Sequence, residues 1–215
     1  MTCIDEPMLL DITLRSLLVS GSATLLAMLW SIPIALTISM REFMGKRVVK
    51  SVFNALLGIP TVALGLILFI LFASRGPLGP LHLLYTPTGI IIGQAILITP
   101  IIVSFTTSAL ESVDPEVKDL TRTLGASERQ ASFAILGEAK KGTTLAIIAA
   151  FNRAIAELGV AMMVGGNIYG YTQVLTTKIS TGVTRGETVL CLELTVILLA
   201  IVFSLTLAMN LLRRD

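Results

Sequence analysis

Cysteine, histidine and charge are all scarce in this chain, and each scarcity narrows the chemistry open to it. The two cysteines, Cys3 and Cys191, lie far apart in 215 residues and have no metal-ligand spacing. They indicate no zinc site and read as inert buried thiols. The one histidine, His82, sits in a Gly/Pro-rich connection and marks a loop rather than a ligand. No Ser/His or Cys/His pairing, carboxylate pair or metal cluster falls within the apolar segments, which weighs against an intramembrane enzyme. Charged residues are 14% of the chain against 54% hydrophobic, with a mean hydropathy of +0.86. Soluble domains rarely show this balance. The net charge of +2 says little, because in such chains the position of charge matters more than its sum. There is no heptad, longer repeat or low-complexity tract.

What the chain has is apolar length. Five segments, about 17–39, 52–73, 89–110, 143–165 and 188–212, are each long enough to cross a bilayer, which takes roughly 20 residues of helix. Pro33, Pro60 and Pro100 interrupt three of them as packing kinks or gating hinges. The start of the chain carries Asp5, Glu6 and Asp11 with only Arg15 positive, the wrong sign for a secretory signal, so the first segment reads as a retained span.

Lysine and arginine are unevenly shared between the connections. Arg41, Lys46, Arg47 and Lys50 follow the first span, and Lys118, Arg122, Arg129, Lys140 and Lys141 follow the third. Arg213 and Arg214 end the chain, whereas the opposite side has Arg15, Arg75, Lys178 and Arg185. The positive-inside rule puts the N-terminus outside and both basic loops and the C-terminus in the cytoplasm. On the outer side, residues 74–80 have turn chemistry, while residues 166–186 are polar, Gly/Thr-rich and long enough to dip into a vestibule.

The cytoplasmic loop 111–142 has more local order than a connection needs. Asp114-Pro115-Glu116 is a helix start, with Val117, Leu120 and Leu124 forming a narrow apolar stripe behind it. Gly125 suits a helix C-terminus, and Ser127-Glu128-Arg129-Gln130 reads as a capping box. Two short helices with a sharp turn at Gly125-Ala126 are therefore expected.

Asp119-Leu120-Thr121, then Gly125, then Ile135 resembles the EAA motif of permeases in binding-protein-dependent ABC importers. Asp119 stands for the Glu, Leu120 and Thr121 replace the Ala pair, and Gly137-Glu138 stands where the family often has Leu-Pro. The resemblance implies an all-α, polytopic, five-span permease of the type I ABC importer fold, one domain over residues 1–215. It also implies a coupling helix in which Asp119, Arg122, Leu124, Gly125, Ala126, Ser127 and Ile135 engage a cytoplasmic ATPase. Residues 137–144 have two glycines at P-loop spacing but no lysine after the second and no preceding strand, so this chain has no nucleotide site of its own. No cofactor is expected here; ATP and Mg would belong to the partner.

Asn152, Arg153 and Glu157 lie near the middle of the fourth span, where charge is costly and usually faces a bundle interior or cavity. Arg153 and Glu157 are four apart, so they share a helical face. They read equally as a structural ion pair or as a pathway or gate element offering positive charge to an anion. Gly159, Gly165, Gly166 and Asn167 follow, the glycines permitting close helix approach or a break. The Met163-Val164-Gly165-Gly166-Asn167 run and Thr172-Gln173-Val174-Leu175-Thr176-Thr177 resemble the oxyanion permeases for molybdate, sulfate and especially tungstate. What that implies is a non-catalytic subunit that pairs with a second copy of itself, two ATPases and an extracytoplasmic solute-binding protein in the inner membrane, with no nucleic-acid partner. The competing reading is a secondary transporter or channel relaying ions through Arg153 and Glu157, although the absence of an internal repeat weighs against it. Whether Cys191 or Glu193 touches the pathway is open from sequence.

Overall fold

The computed structural model describes residues 6–114, 116, 117, 123 and 127–214. Among them the regular elements are helical: α1 (Glu6–Met40), α2 (Lys46–Leu56), α3 (Thr61–Phe72), a 3-10 turn (Gly79–Leu81), α4 (Pro87–Glu111), α5 (Glu128–Glu138), α6 (Lys140–Ile155), α7 (Gly159–Gly165), α8 (Leu175–Thr184) and α9 (Thr188–Arg214). Three stretches, Met8–Met40, Pro87–Glu111 and Thr188–Met209, are long and apolar enough to cross a membrane as single helices.

The second and fourth expected spans are each broken. The α2–α3 pair bends by 98° and the α6–α7 pair by 55°, so the count reaches five only when each pair is one span. Pro60 explains the first break. It is the N-cap of α3, and its missing N–H and fixed φ end α2 before it and start a new helix after it. Pro33 and Pro100 behave differently, because α1 and α4 run through both. α3 is about 18 Å long and α7 about 10 Å at 1.5 Å per residue, so neither crosses a roughly 30 Å hydrocarbon core alone.

α4 is the central post. Small residues let it approach its neighbours: Ala23 and Ala27 of α1, Ala95, Ile98 and Ile102 of α4, and Ala150 and Ala154 of α6 form one buried cluster. A second cluster joins Leu64, Leu68 and Phe72 of α3 to Leu97 of α4 and to Val160 and Val164 of α7, so the two short helices pack together. α1 extends further back than its apolar segment, and there Asp11 and Arg15 pair one turn apart while Arg15 also donates to the Gln173 carbonyl. Leu10, Leu14, Leu18, Leu25 and Leu29 of α1 and Val189, Leu192, Val196, Phe203 and Leu207 of α9 are left as exposed apolar stripes.

The connections after α3 and after α7 also take shape. His82 closes the 3-10 turn in a left-handed conformation, as a loop residue. The polar segment 166–186 contains α8, which buries Leu175, Thr176, Thr177, Lys178 and Gly182. It is a packed element held by Ile12 and Leu194, not a loose vestibule loop.

Candidate translocation and coupling site

The break between α6 and α7 organises the intramembrane polar residues. Arg153 Nη1 donates to Glu157 Oε2 at 2.7 Å, as the four-residue spacing predicts. The other carboxylate oxygen, Oε1, accepts the backbone N–H of Val160 at 3.1 Å. Glu157 thus caps the first turn of α7 while neutralising Arg153 at the end of α6. Its side chain is 1% exposed and that of Arg153 is 37% exposed, so the cation has the open side of the pair. Thr176 Oγ1 donates to the Glu157 carbonyl at 2.7 Å, which fastens the start of α8 to the same corner. Gln94 Nε2 of α4 donates to the carbonyl of Ala154 at 3.1 Å, one of the acceptors near the end of α6.

The glycines of this stretch are there for contact. A Cβ on Gly159 would stand 2.8 Å from Thr61 Oγ1 and 2.9 Å from backbone atoms of Thr61 and Val62. Gly65 faces the Gly159 carbonyl from the other helix, its own Cβ position only 3.0 Å away. Gly165 is pressed by Ile90, and Gly166 ends α7 with φ +69, a conformation that favours glycine. Asn167 follows at φ 51 and donates through Nδ2 to Thr181 Oγ1 at 3.0 Å, linking this turn to α8. Asn152 points elsewhere. Its Nδ2 donates to Thr206 Oγ1 at 3.2 Å, tying α6 to α9.

The structure therefore gathers Arg153, Glu157 and Gly159 at one corner, places Gly165, Gly166 and Asn167 at the far end of α7, and turns Asn152 towards α9. Sequence reasoning gave no role to Gln94 or Ser16, single residues with no motif around them, and gave Thr172 none beyond its place in the run 172–177. Ser16 Oγ accepts the Leu175 N–H at 2.8 Å, and Thr172 Oγ1 bridges the Gly165 carbonyl and the Ile168 N–H. It also missed Lys178, which is buried and pairs with Glu187 at 2.6 Å. That ammonium holds the Glu187 carboxyl below its ordinary value. Cys191 is a buried free thiol facing α8, with Sγ 3.5 Å from the Ile179 carbonyl. Glu193 leaves Oε2 buried without a partner.

The loop is partly described. The Glu116 N–H donates to Asp114 Oδ1 at 2.9 Å, the expected helix-start cap. Ser127 Oγ accepts the Gln130 N–H at 3.4 Å and Gln130 Oε1 accepts the Ser127 N–H at 2.8 Å, a complete capping box at the start of α5. Ile135 is 3% exposed and packs with Ala35, Leu110 and Ala139, so it anchors α5 to the ends of α1 and α4. Asp119, Arg122, Leu124, Gly125 and Ala126, with the turn expected at Gly125-Ala126, lie outside the described residues, as does Cys3.

The described bundle thus has a central helix packed against two broken spans, with a capped helix following it. Residues 24–215 match the family described as binding-protein-dependent transport system inner membrane component. The chain belongs to that family. It is 36% identical over 200 residues to the tungstate uptake system permease protein TupB of Peptoclostridium acidaminophilum, covering 93% of this chain and 88% of that protein. It is 37% identical over 199 residues to a probable anion ABC transporter permease protein of Haloferax volcanii, covering 90% and 86%. Among solved structures, the MetNI methionine ABC transporter in inward-facing conformations superposes with a TM-score of 0.78 at 18% identity over 98% of this chain and 99% of that one, a likeness of fold.

Proposed function

We propose that this chain is the permease subunit of an ATP-driven importer for a tetrahedral oxyanion, tungstate foremost, with molybdate and sulfate as the alternatives. The observation that carries the reading is the near-complete coverage of a tungstate permease at 36% identity, which includes the polar stretch after Glu157. The single permease domain spans residues 1–215, with loop 111–142 facing the cytoplasm and the N-terminus outside.

Two copies would form the pathway, which the exposed stripes of α1 and α9 allow, since such faces meet either lipid or another helix. A solute-binding protein delivers the anion outside, and two cytoplasmic ATPases, holding ATP and Mg, grip the loop around Gly125. Asp119, Arg122, Leu124, Ala126 and Ser127 would form that grip, while Ile135 roots the loop in the bundle. In the pathway, Arg153 is the cation that an anion would meet, since it is the exposed half of its pair. Glu157, Gly159, Gly165, Gly166 and Asn167 keep the broken helix in shape around it. The cap on Val160 favours a positioning role for Glu157 over an ion relay.

The test is ATPase stimulation of the reconstituted complex by its binding protein loaded with tungstate, molybdate or sulfate. Stimulation by tungstate in preference to the others is expected. Stimulation only by an unrelated solute such as an amino acid overturns the oxyanion assignment, and transport persisting without ATP or ATPase overturns the importer assignment.

A further inference from the structure

None of the residues of α2 is buried, and a helix of 11 residues is marginal on its own in water. Its inner edge is pinned to the bundle by charge. Lys46 Nζ donates to Glu42 Oε1 at 2.8 Å and to the Ser39 carbonyl at 3.3 Å, and lies 3.8 Å from Glu111 Oε1. Lys50 Nζ donates to Glu111 Oε2 at 2.6 Å. These contacts hold α2 at the level where α1 and α4 end. The 98° bend turns it across the axis of α3, so with α3 standing in the membrane α2 lies flat along the surface.

The two free edges of the helix differ. With 3.6 residues per turn, exposed Asn54, Arg47 and Ser51 fall within about 60° of arc, and Ala55, Val48, Val52 and Leu56 span about 100° beyond them. The second edge is bare: Val48 is 65% and Val52 51% exposed. Phe43 and Met44, also exposed, lie just before the helix. Arg41 and Arg47 are exposed and have no ion pair among the described residues, whereas Lys46 and Lys50 are matched by Glu42 and Glu111. A shallow groove of ≈ 530 Å³ at the start of α2 brings Arg47 and Val48 together with Phe43, Lys46 and Glu42 on its walls.

We propose that α2 is an interfacial helix that seats the bundle on an anionic lipid surface. Its Val48–Val52–Leu56 edge lies among acyl chains, and Arg41 and Arg47 hold phosphate headgroups. A cationic edge beside an apolar one fits the boundary where phosphate meets hydrocarbon. The arginine fork suits phosphate oxygens, and these two are the cations of the segment that no carboxylate already holds. Water alone would leave the apolar edge wet, and a second copy across a two-fold axis would bring the same basic patch against itself. The inference uses only the span of α3 and the charges around α2, so it is independent of which solute the protein carries.

The test uses the complete complex, with a cysteine-free ATPase, in nanodiscs of phosphatidylcholine alone or mixed with phosphatidylglycerol. Nitroxides are attached singly at Val48→Cys, Val52→Cys, Ser51→Cys and Asn54→Cys in a Cys3→Ser background, buried Cys191 being left in place. Labels at positions 48 and 52 should collide more with oxygen than with a water-soluble nickel chelate, and labels at 51 and 54 the reverse. Quenching of a fluorophore at position 48 by doxyl-labelled phosphatidylglycerol, against doxyl-labelled phosphatidylcholine, gives the headgroup preference. Phosphatidylglycerol should be favoured, and Arg41→Gln/Arg47→Gln should cut the preference by about fivefold per arginine. Nickel access at 48 and 52 equal to that at 51 and 54 overturns the seating. Loss of access to both reagents at 48 and 52 also overturns it, assigning the edge to a second copy where the labels broaden each other and to the ATPase where they do not. A preference unchanged in the double variant overturns the headgroup role of the arginines. The expected label pattern in a complex that transports no oxyanion supports the inference and counts only against the transport assignment.

Discussion

Glu157 holds Arg153 with one carboxylate oxygen and the Val160 amide with the other, so one side chain serves both sides of a 55° helix break. The two functions of this side chain can be separated by substitution. Glu157→Ala leaves Arg153 without its counter-charge and the first turn of α7 without its cap, and should cost about 3–5 kcal/mol. Glu157→Gln retains an acceptor for Val160 and should cost clearly less. Thermal unfolding in detergent should rank them parent, Gln, Ala. An ion relay would instead predict a stable Glu157→Gln protein that has lost transport.

Gly159 and Gly65 are where α7 and α3 touch. Because a Cβ on Gly159 meets backbone atoms of Thr61 and Val62, the helices must separate to admit it. Gly159→Ala should destabilise by about 1–3 kcal/mol, as overpacking does elsewhere. Gly137, whose Cβ would meet nothing within 4 Å, is the matched control, and Gly137→Ala should leave the melting temperature unchanged or raised.

Lys178 and Glu187 give the α8–α9 connection a pH dependence. The folded carboxyl of Glu187 titrates below its ordinary value of 4.5 because it accepts from the Lys178 ammonium. A lowered folded value means that the pair's stabilisation is fully present above about pH 4.5 and is lost as pH falls through the lower folded value. Melting temperatures from pH 7 down to pH 3 should fall for the parent, and the curve for Glu187→Gln should start lower and converge with it at the acid end.

How much of this was legible follows from where the signal lies. The Arg153–Glu157 pair and the Ser127–Gln130 capping box are local, with both partners within one turn, and the chain shows them directly. The helix break was only half visible. Gly159 and Pro60 marked the places, but an apolar run reads as one span whether its axis is straight or turns through 98°. The polar residues that secure the corner were not legible. Gln94 bonds Ala154, Ser16 bonds Leu175 and Lys178 bonds Glu187 across distances in sequence that only the packing brings together. Ile135 was read as part of a docking motif, and its burial against Ala35 and Leu110 shows a second duty that spacing cannot reveal.

That second duty sets the last prediction. If loop 111–142 transmits ATPase closure, its root and its tip should fail in different ways. Ile135→Ala removes a buried side chain from the contact between α5, α1 and α4, and should cost about 2–4 kcal/mol as a core truncation. Ser127→Ala removes one half of the capping box and should cost about 1 kcal/mol. Ile135→Ala should lower the stimulation of ATPase activity by loaded binding protein in step with lost stability, whereas Ser127→Ala, within the proposed grip, should lower it by more than its lost stability accounts for. Gly125→Pro acts at the proposed contact with the ATPase, and should abolish stimulation and uptake while the melting temperature of the permease stays near that of the parent. Full transport by a Gly125→Pro complex would mean that the ATPase grips the permease elsewhere, and the capped helix α5 would then be a strut of the bundle alone.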